Sequence, residues 1–199
     1  MARTINRRGL LGAALPAAAD AVGRVVEARL ERTLPAQRRP PGAVGEALFQ
    51  ALCTRCDACV DACPHGVVLR YTHDAGINAH TPVMRPDVHA CVMCDDFPCA
   101  GACPEGALSL PTTKTWRLGV LRLREDVCIA YLGPECGACI GLCPHGLDAL
   151  KLAASRPVLD DQRCVGCGMC IPACPTSPKA LELVPLTPAD EAVGRPGPS

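Results

Sequence analysis

Sixteen cysteines dominate the middle of this 199-residue chain, and they fall into four groups of four. The groups are Cys53, Cys56, Cys59 and Cys63; Cys91, Cys94, Cys99 and Cys103; Cys128, Cys136, Cys139 and Cys143; and Cys164, Cys167, Cys170 and Cys174. A proline follows each fourth cysteine, at Pro64, Pro104, Pro144 and Pro175. The first and fourth groups read Cys-x2-Cys-x2-Cys-x3-Cys-Pro; the second widens its middle gap to x4 and the third its first gap to x7. A Cys-x2-Cys-x2-Cys run loops the backbone around one face of a cubane and offers three thiolates to three irons, while the proline directs the cysteine after x3 elsewhere. Four [4Fe-4S] clusters are the cofactors this spacing implies, with every cysteine a metal ligand and none left over.

Other chemistries fit less well. Zinc sites bring two Cys-x2-Cys pairs to a tetrahedron, so a third close cysteine would be surplus. A disulfide scaffold suits shorter secreted chains, and cysteines two residues apart are poorly placed to pair. Thioredoxin-like redox chemistry needs one such pair, and a [3Fe-4S] centre usually lacks a cysteine that every group here has. In two-cluster ferredoxins the fourth cysteine serves the neighbouring cluster of the pair. Shared tight spacing in the first and fourth groups favours a nested pairing, first with fourth and second with third. Cys53, Cys56, Cys59 and Cys174 then hold one cluster, and Cys164, Cys167, Cys170 and Cys63 its neighbour. Sequential pairing is the alternative.

The elements that must position these ligands are small. Short β-type runs lie at Val67–Leu69, Leu118–Leu123, Val158–Leu159 and Leu181–Val184, each too short for a large sheet, which predicts small antiparallel hairpins beside the cysteine groups. Short helices are expected after the Cys-Pro steps. The class is α+β, as two ferredoxin-like modules with two [4Fe-4S] clusters each. Aromatics make up only 3% of the chain, so the usual large-side-chain core is thin. Bound metal must replace it, making metal binding and folding one equilibrium.

Four stretches follow along the chain: 1–19 a signal-like segment, 20–45 a short amphipathic helix and a Pro-rich linker, 46–184 the cluster-binding region in tandem or nested order, and 185–199 a disordered tail. Arg7-Arg8, followed by Gly9-Leu10-Leu11 and a short apolar run to Ala19, resembles a twin-arginine export signal. A basic tail on a cytoplasmic protein is the alternative. Export of folded, metal-loaded protein would let iron arrive before an oxidising compartment could form disulfides. Twenty basic and twenty acidic residues give zero formal charge, so nothing points to nucleic acid as a partner. Each oxidised cluster with its four thiolates carries about −2, which makes the metal-loaded protein acidic. No run reaches the roughly 18–20 apolar residues of a membrane span.

Among the remaining residues, His65 and His145 each follow a Cys-Pro step. Both are expected as solvated turn residues; the alternative is a hydrogen bond to a cluster sulfur that raises its potential. His73, His80 and His89 sit in polar loops. Trp116 and Tyr131 are expected to pack on hairpins rather than between clusters. No nucleophile–base pair, phosphate loop or dinucleotide fingerprint occurs, so the chain reads as an electron carrier without a substrate site of its own.

The sequence also resembles the ferredoxin-type proteins of the NapG/MauM kind, accessory to periplasmic nitrate reductase and methylamine dehydrogenase systems. Arg39-Pro40-Pro41-Gly42-Ala43, Cys91-Val92-Met93-Cys94-Asp95-Asp96-Phe97-Pro98-Cys99, Cys128-Ile129-Ala130-Tyr131-Leu132-Gly133 and Val184-Pro185-Leu186 carry the resemblance. It implies a periplasmic protein, exported by the twin-arginine route, that takes electrons from a membrane quinol-oxidising partner and passes them to a periplasmic redox enzyme. Cys53-Thr54-Arg55-Cys56-Asp57-Ala58-Cys59 is also similar to NapF, a related cytoplasmic protein linked to nitrate reductase maturation. The x4 gap between Cys94 and Cys99 agrees better with NapG/MauM and with the electron-transfer subunits of molybdenum reductases. An iron–sulfur subunit of a molybdenum oxidoreductase and a NapF-like maturation factor are therefore the competing roles.

Overall fold

A one-turn helix between the third and fourth cysteines is the repeated unit of the structure. The computed structural model describes residues 36–110 and 117–186, together with Arg29 and Leu34. The signal-like segment, the helix expected over 20–34, Trp116 and the tail from 187 onward lie outside the described residues. The chain divides into two compact units, Met1–Pro35 and Ala36–Ser199. The second holds all sixteen cysteines and includes residues 36–45, read from the sequence as linker.

Helix α1 (Glu46–Leu52) precedes the first cysteine group. Helices α2 (Ala58–Asp61), α3 (Pro98–Gly101) and α5 (Cys170–Ala173) and a 3-10 turn at Ile140–Leu142 then occupy equivalent places in the four groups. Helix α4 (Ile129–Leu132) fills the x7 gap of the third group. Every one-turn unit closes in the same way: the N–H of the fourth cysteine donates to the carbonyl three residues back, from Cys63 to Val60, Cys103 to Ala100 and Cys143 to Ile140 at 3.2 Å, and from Cys174 to Ile171 at 3.1 Å. Proline then forbids continuation and holds the residue before it extended, as at Cys143 (φ −75, ψ 118) and Cys174 (φ −66, ψ 122). The helices thus lie before the Cys-Pro steps, not after them as expected; among the described residues only the 3-10 turn Gly146–Asp148 follows one directly.

Among the described residues the strands form three antiparallel pairs. β1 (Val68–Arg70) pairs β2 (Pro82–Met84), β4 (Leu150–Ala153) pairs β5 (Arg156–Leu159), and β3 (Val120–Leu123) pairs β6 (Leu181–Val184) with Val120 opposite Val184. Small mixed helices and short antiparallel pairs match the α+β reading, but β3 and β6 are not parts of separate local hairpins. They come from opposite ends of the second half and close it around the β4–β5 hairpin. The first half repeats this plan in reduced form. A bridge between Ala43 and Leu108 joins its ends, supported by Ser109 N–H to the Gly42 carbonyl at 2.8 Å, and the β1–β2 pair lies inside.

Two adjacent arginines tie the start of this unit down. Arg39 is buried; its guanidinium meets Glu46 at 2.5 Å, Thr81 Oγ1, the Pro82 carbonyl and Asn78 Oδ1 each at 2.7 Å, and lies 4.4 Å from the centre of the fully buried Phe49 ring. Arg38 joins the halves: Nε donates to the Met84 carbonyl at 3.3 Å and Nη1 to the Leu183 carbonyl at 3.1 Å. Between the halves, Cys91 N–H donates to the Cys167 carbonyl at 3.1 Å and Leu118 N–H to the Val165 carbonyl at 2.9 Å. One apolar cluster spans this seam, with Val67, Val68 and Met84 on one side and Leu118 and Val165 on the other.

Candidate metal centres

Three of the four cysteine loops turn through left-handed backbone beside their cysteines. Arg55 and Asp57 flank Cys56, Gly166 and Gly168 flank Cys167, and in the widened second group Met93 precedes Cys94 while Phe97 stands two residues before Cys99. Such turns point successive N–H groups at one concavity. The backbone at Met93, Gly166 and Met169 favours the ionised sulfurs of Cys91, Cys164 and Cys167, against a larger upward push from burial. Leu108 N–H reaches Cys103 Sγ and Ala180 N–H reaches Cys174 Sγ, both at 3.4 Å.

The sixteen cysteines line four cavities, four to each. Site 1 takes Cys53, Cys56 and Cys59 with Cys103, in a cavity of about 400 Å³. Site 2 takes Cys91, Cys94 and Cys99 with Cys63, in about 350 Å³. Site 3 takes Cys128, Cys136 and Cys139 with Cys174, and site 4 takes Cys164, Cys167 and Cys170 with Cys143, each in about 330 Å³. Every site therefore has three cysteines from its own group and one from the adjacent group. In these cavities the cysteines group sequentially, first with second and third with fourth, and Cys174 does not join Cys53, Cys56 and Cys59 as the nested arrangement expected from the shared tight spacing requires. Spacing governs only how three cysteines wrap one cavity; the destination of the fourth is set by which halves close on themselves, through Ala43–Leu108 and β3–β6.

All sixteen cysteines are free thiols in the structure, so no disulfide competes for them. Among the described residues, no three His, Cys, Asp or Glu side chains are gathered for a single metal ion; the thiols stand around cavities instead. Burial is the main force on these thiols. It pushes Cys59 up to about 12, aided by the charges of Cys53, Cys103 and Cys56, and Cys91 to about 12, aided by Cys99, Cys167 and Cys94. Burial and neighbouring thiolates likewise lift Cys139 and Cys167 to about 11. At Cys174 burial pushes up, but hydrogen bonds from Thr176 and Ala180 and the charge of Lys179 outweigh it, so the net shift is downward. Four such thiols cannot ionise side by side without compensating positive charge, which a ligated metal core supplies. The donor set, the inward N–H groups and the cavities fit an iron–sulfur core at each site.

Other residues singled out from the sequence separate here. His65 is exposed at the rim of site 2. His145 lines site 4, half-buried, with its Nε2 shut off from solvent and without a hydrogen-bond partner. Tyr131 packs on the β4–β5 hairpin as expected, its hydroxyl donating to the Pro157 carbonyl at 3.2 Å and its ring 5.1 Å from the Arg156 guanidinium carbon. The sequence reading gave Arg38 and Arg39 no structural role. Their signal was a pair of adjacent arginines directly before Pro40-Pro41, a place where a solvated linker has no need of them.

Fold and sites define a class: a two-cluster ferredoxin arrangement, present twice in one chain. Comparison with known proteins names the family. Residues 52–107 and 134–179 each match a family model described as a 4Fe-4S dicluster domain. The methylamine utilization ferredoxin-type protein MauM of Methylobacillus flagellatus is 33% identical over 160 residues, covering 73% of this chain and 68% of that protein. The ferredoxin-type protein NapG of Escherichia coli is 36% identical over 121 residues, covering 59% and 52%, and NapF of the same organism 34% identical over 131 residues, covering 64% and 74%. The chain belongs to the ferredoxin-type proteins of the NapG and MauM family. It spans about half of NapG's length and 62% of two further MauM proteins. No solved structure matches it.

Proposed function

We propose that this chain is an electron relay carrying four [4Fe-4S] clusters, ligated by the four cysteines of each site described above. One observation carries the reading: sixteen cysteines distribute without remainder into four cavities of four. When bound, the clusters supply one-electron chemistry at potentials set by their surroundings. The polypeptide sets their order. Sites 1 and 2 are joined by α2, which carries Cys59 to one and leads to Cys63 in the other, and by α3, which does the same for Cys99 and Cys103. Sites 3 and 4 are joined in the same way by the turn at Ile140–Leu142 and by α5. Sites 2 and 4 meet where Cys91 N–H donates to the Cys167 carbonyl. The resulting line runs 1, 2, 4, 3, which is not the order along the sequence. Site 1 is the most open end, since none of its cysteines is buried and Cys56 is exposed.

The physiological direction rests on the family resemblance. In this reading a membrane quinol-oxidising protein delivers electrons to one end, and a periplasmic redox enzyme of the nitrate reductase or dehydrogenase type takes them from the other. Among the described residues no helix is long and apolar enough to cross a membrane. Arg7-Arg8 directs export by the twin-arginine route, and the chain acts without a substrate site of its own. Likeness to NapF favours a second reading, in which the clusters serve maturation of a reductase in the cytoplasm. Anaerobic purification decides the first claim: about sixteen iron and sixteen acid-labile sulfide per chain are expected, and colourless protein overturns it. Rapid reoxidation of the reduced chain by an acceptor enzyme favours relay, and binding only to the acceptor's apo form favours maturation. An intact Met1 on protein recovered from cytosol counts against export.

A further inference from the structure

The two Cys-Pro-His-Gly turns are alike in sequence and in backbone, with Gly66 at φ +60 and Gly146 at φ +59, and they differ in how their histidines are covered. His65, after site 2's Cys63, faces solvent. His145, after site 4's Cys143, has a buried Nε2 that meets no protein acceptor, and the residue lines the site 4 cavity with Cys143, Cys164, Cys167 and Cys170. A buried nitrogen left unpaired is costly, so an acceptor is expected within reach. The surrounding lining offers little else: Leu121, Ala149, Leu150, Leu159 and Val165 are apolar.

We propose that His145 Nε2–H donates a hydrogen bond to a sulfur of the site 4 cluster and thereby raises that cluster's reduction potential above those of the other three. The inference rests on the relay reading. Adding one electron takes a cluster with its four thiolates from about −2 to about −3; no proton is transferred, and a donor aimed at sulfur stabilises the more negative form. Site 4 is thus the electron sink on the inner side of the seam, drawing charge across from site 2.

The test is a redox titration of the full chain, purified anaerobically with its iron counted and followed by electron paramagnetic resonance. In His145→Phe the highest-potential component is expected to move down, so that its ratio of reduced to oxidised form at fixed poise falls about tenfold, equivalent to about 59 mV for one electron. His145→Gln, which keeps a donor, is expected to restore most of the shift, and His65→Phe to leave that component in place. A fully iron-loaded His145→Phe protein that titrates as wild type overturns the proposal, as does a shift of that component in His65→Phe instead. A second measurement does not depend on the Phe variant folding. In His65→Phe protein labelled with 15N-histidine, a 15N coupling is expected at the reduced cluster, and its absence overturns the proposal. Wild-type protein lacking iron would instead sink the relay reading itself.

Discussion

A cysteine's neighbours decide which metal core it serves, and single substitutions can report on them. Cys63 follows the first group in the chain but stands in site 2 with Cys91, Cys94 and Cys99. Cys63→Ser is therefore expected to alter the spectrum of the second group's cluster and to cost up to about four irons of roughly sixteen. A change confined to the cluster of Cys164, Cys167 and Cys170 would restore the nested pairing. Arg39 is a structural counterpart. Removing its guanidinium leaves Glu46, whose side chain is 10% exposed, as an uncompensated buried charge, a loss of about 3–5 kcal/mol. Arg39→Leu is expected to bleach at clearly lower temperature than wild type. Arg39→Lys is expected to recover only part, because an ammonium cannot fork to Glu46, Thr81 and Asn78 together.

At the scale of elements, the seam between the halves depends on how closely two backbones approach. Gly166 has φ +70, and a Cβ placed there would stand 2.4 Å from the Gly119 carbonyl oxygen. Gly168 has φ +81, and its Cβ would stand 2.5 Å from Pro86 Cβ. Alanine at either position combines left-handed strain with a clash against groups that cannot swing aside. Gly166→Ala is expected to part the fourth cysteine loop from the Gly119 end of β3 and to weaken the Leu118 to Val165 hydrogen bond. The measurement is iron content together with the magnetic interaction between reduced clusters. Loss of interaction across the seam with sites 1 and 2 intact is the expected result; wild-type iron and unchanged interaction would show that the seam tolerates a methyl group.

For the molecule as a whole, acidity separates the metal-free fold from the metal-loaded one. Thiols such as Cys59 and Cys91, raised from 9.0 to about 12 in the metal-free fold, bind protons there more tightly than in the unfolded chain. Their contribution to the metal-free fold is complete below about pH 9 and is lost as pH rises towards 12. The metal-loaded protein behaves oppositely, because iron needs thiolates and protons compete for them. Circular dichroism of iron-stripped chain is expected to show residual structure falling between pH 9 and 12. The absorbance of the loaded protein is expected to bleach as pH is lowered. Chelation at neutral pH is expected to remove most ordered structure, since each apolar cluster of the fold includes or packs against cysteines. An iron-free chain with native ellipticity would mean that the apolar residues suffice alone.

The chemistry was legible in the one-dimensional pattern. Three cysteines at fixed short spacing can wrap a cubane using only local backbone, so iron–sulfur binding, the repeat and the small α+β elements followed from residues close in the chain. Tertiary structure decided what local spacing cannot reach: that Cys103 returns to site 1 and Cys63 goes forward to site 2, that β3 finds β6, and that His145 is covered while His65 is not. Chain separation does not choose between such closures, because doubling a loop costs only about 0.6 kcal/mol. The choice falls to packing of strands and apolar side chains from distant parts of the sequence, and that complementarity exists only once the halves have folded against each other.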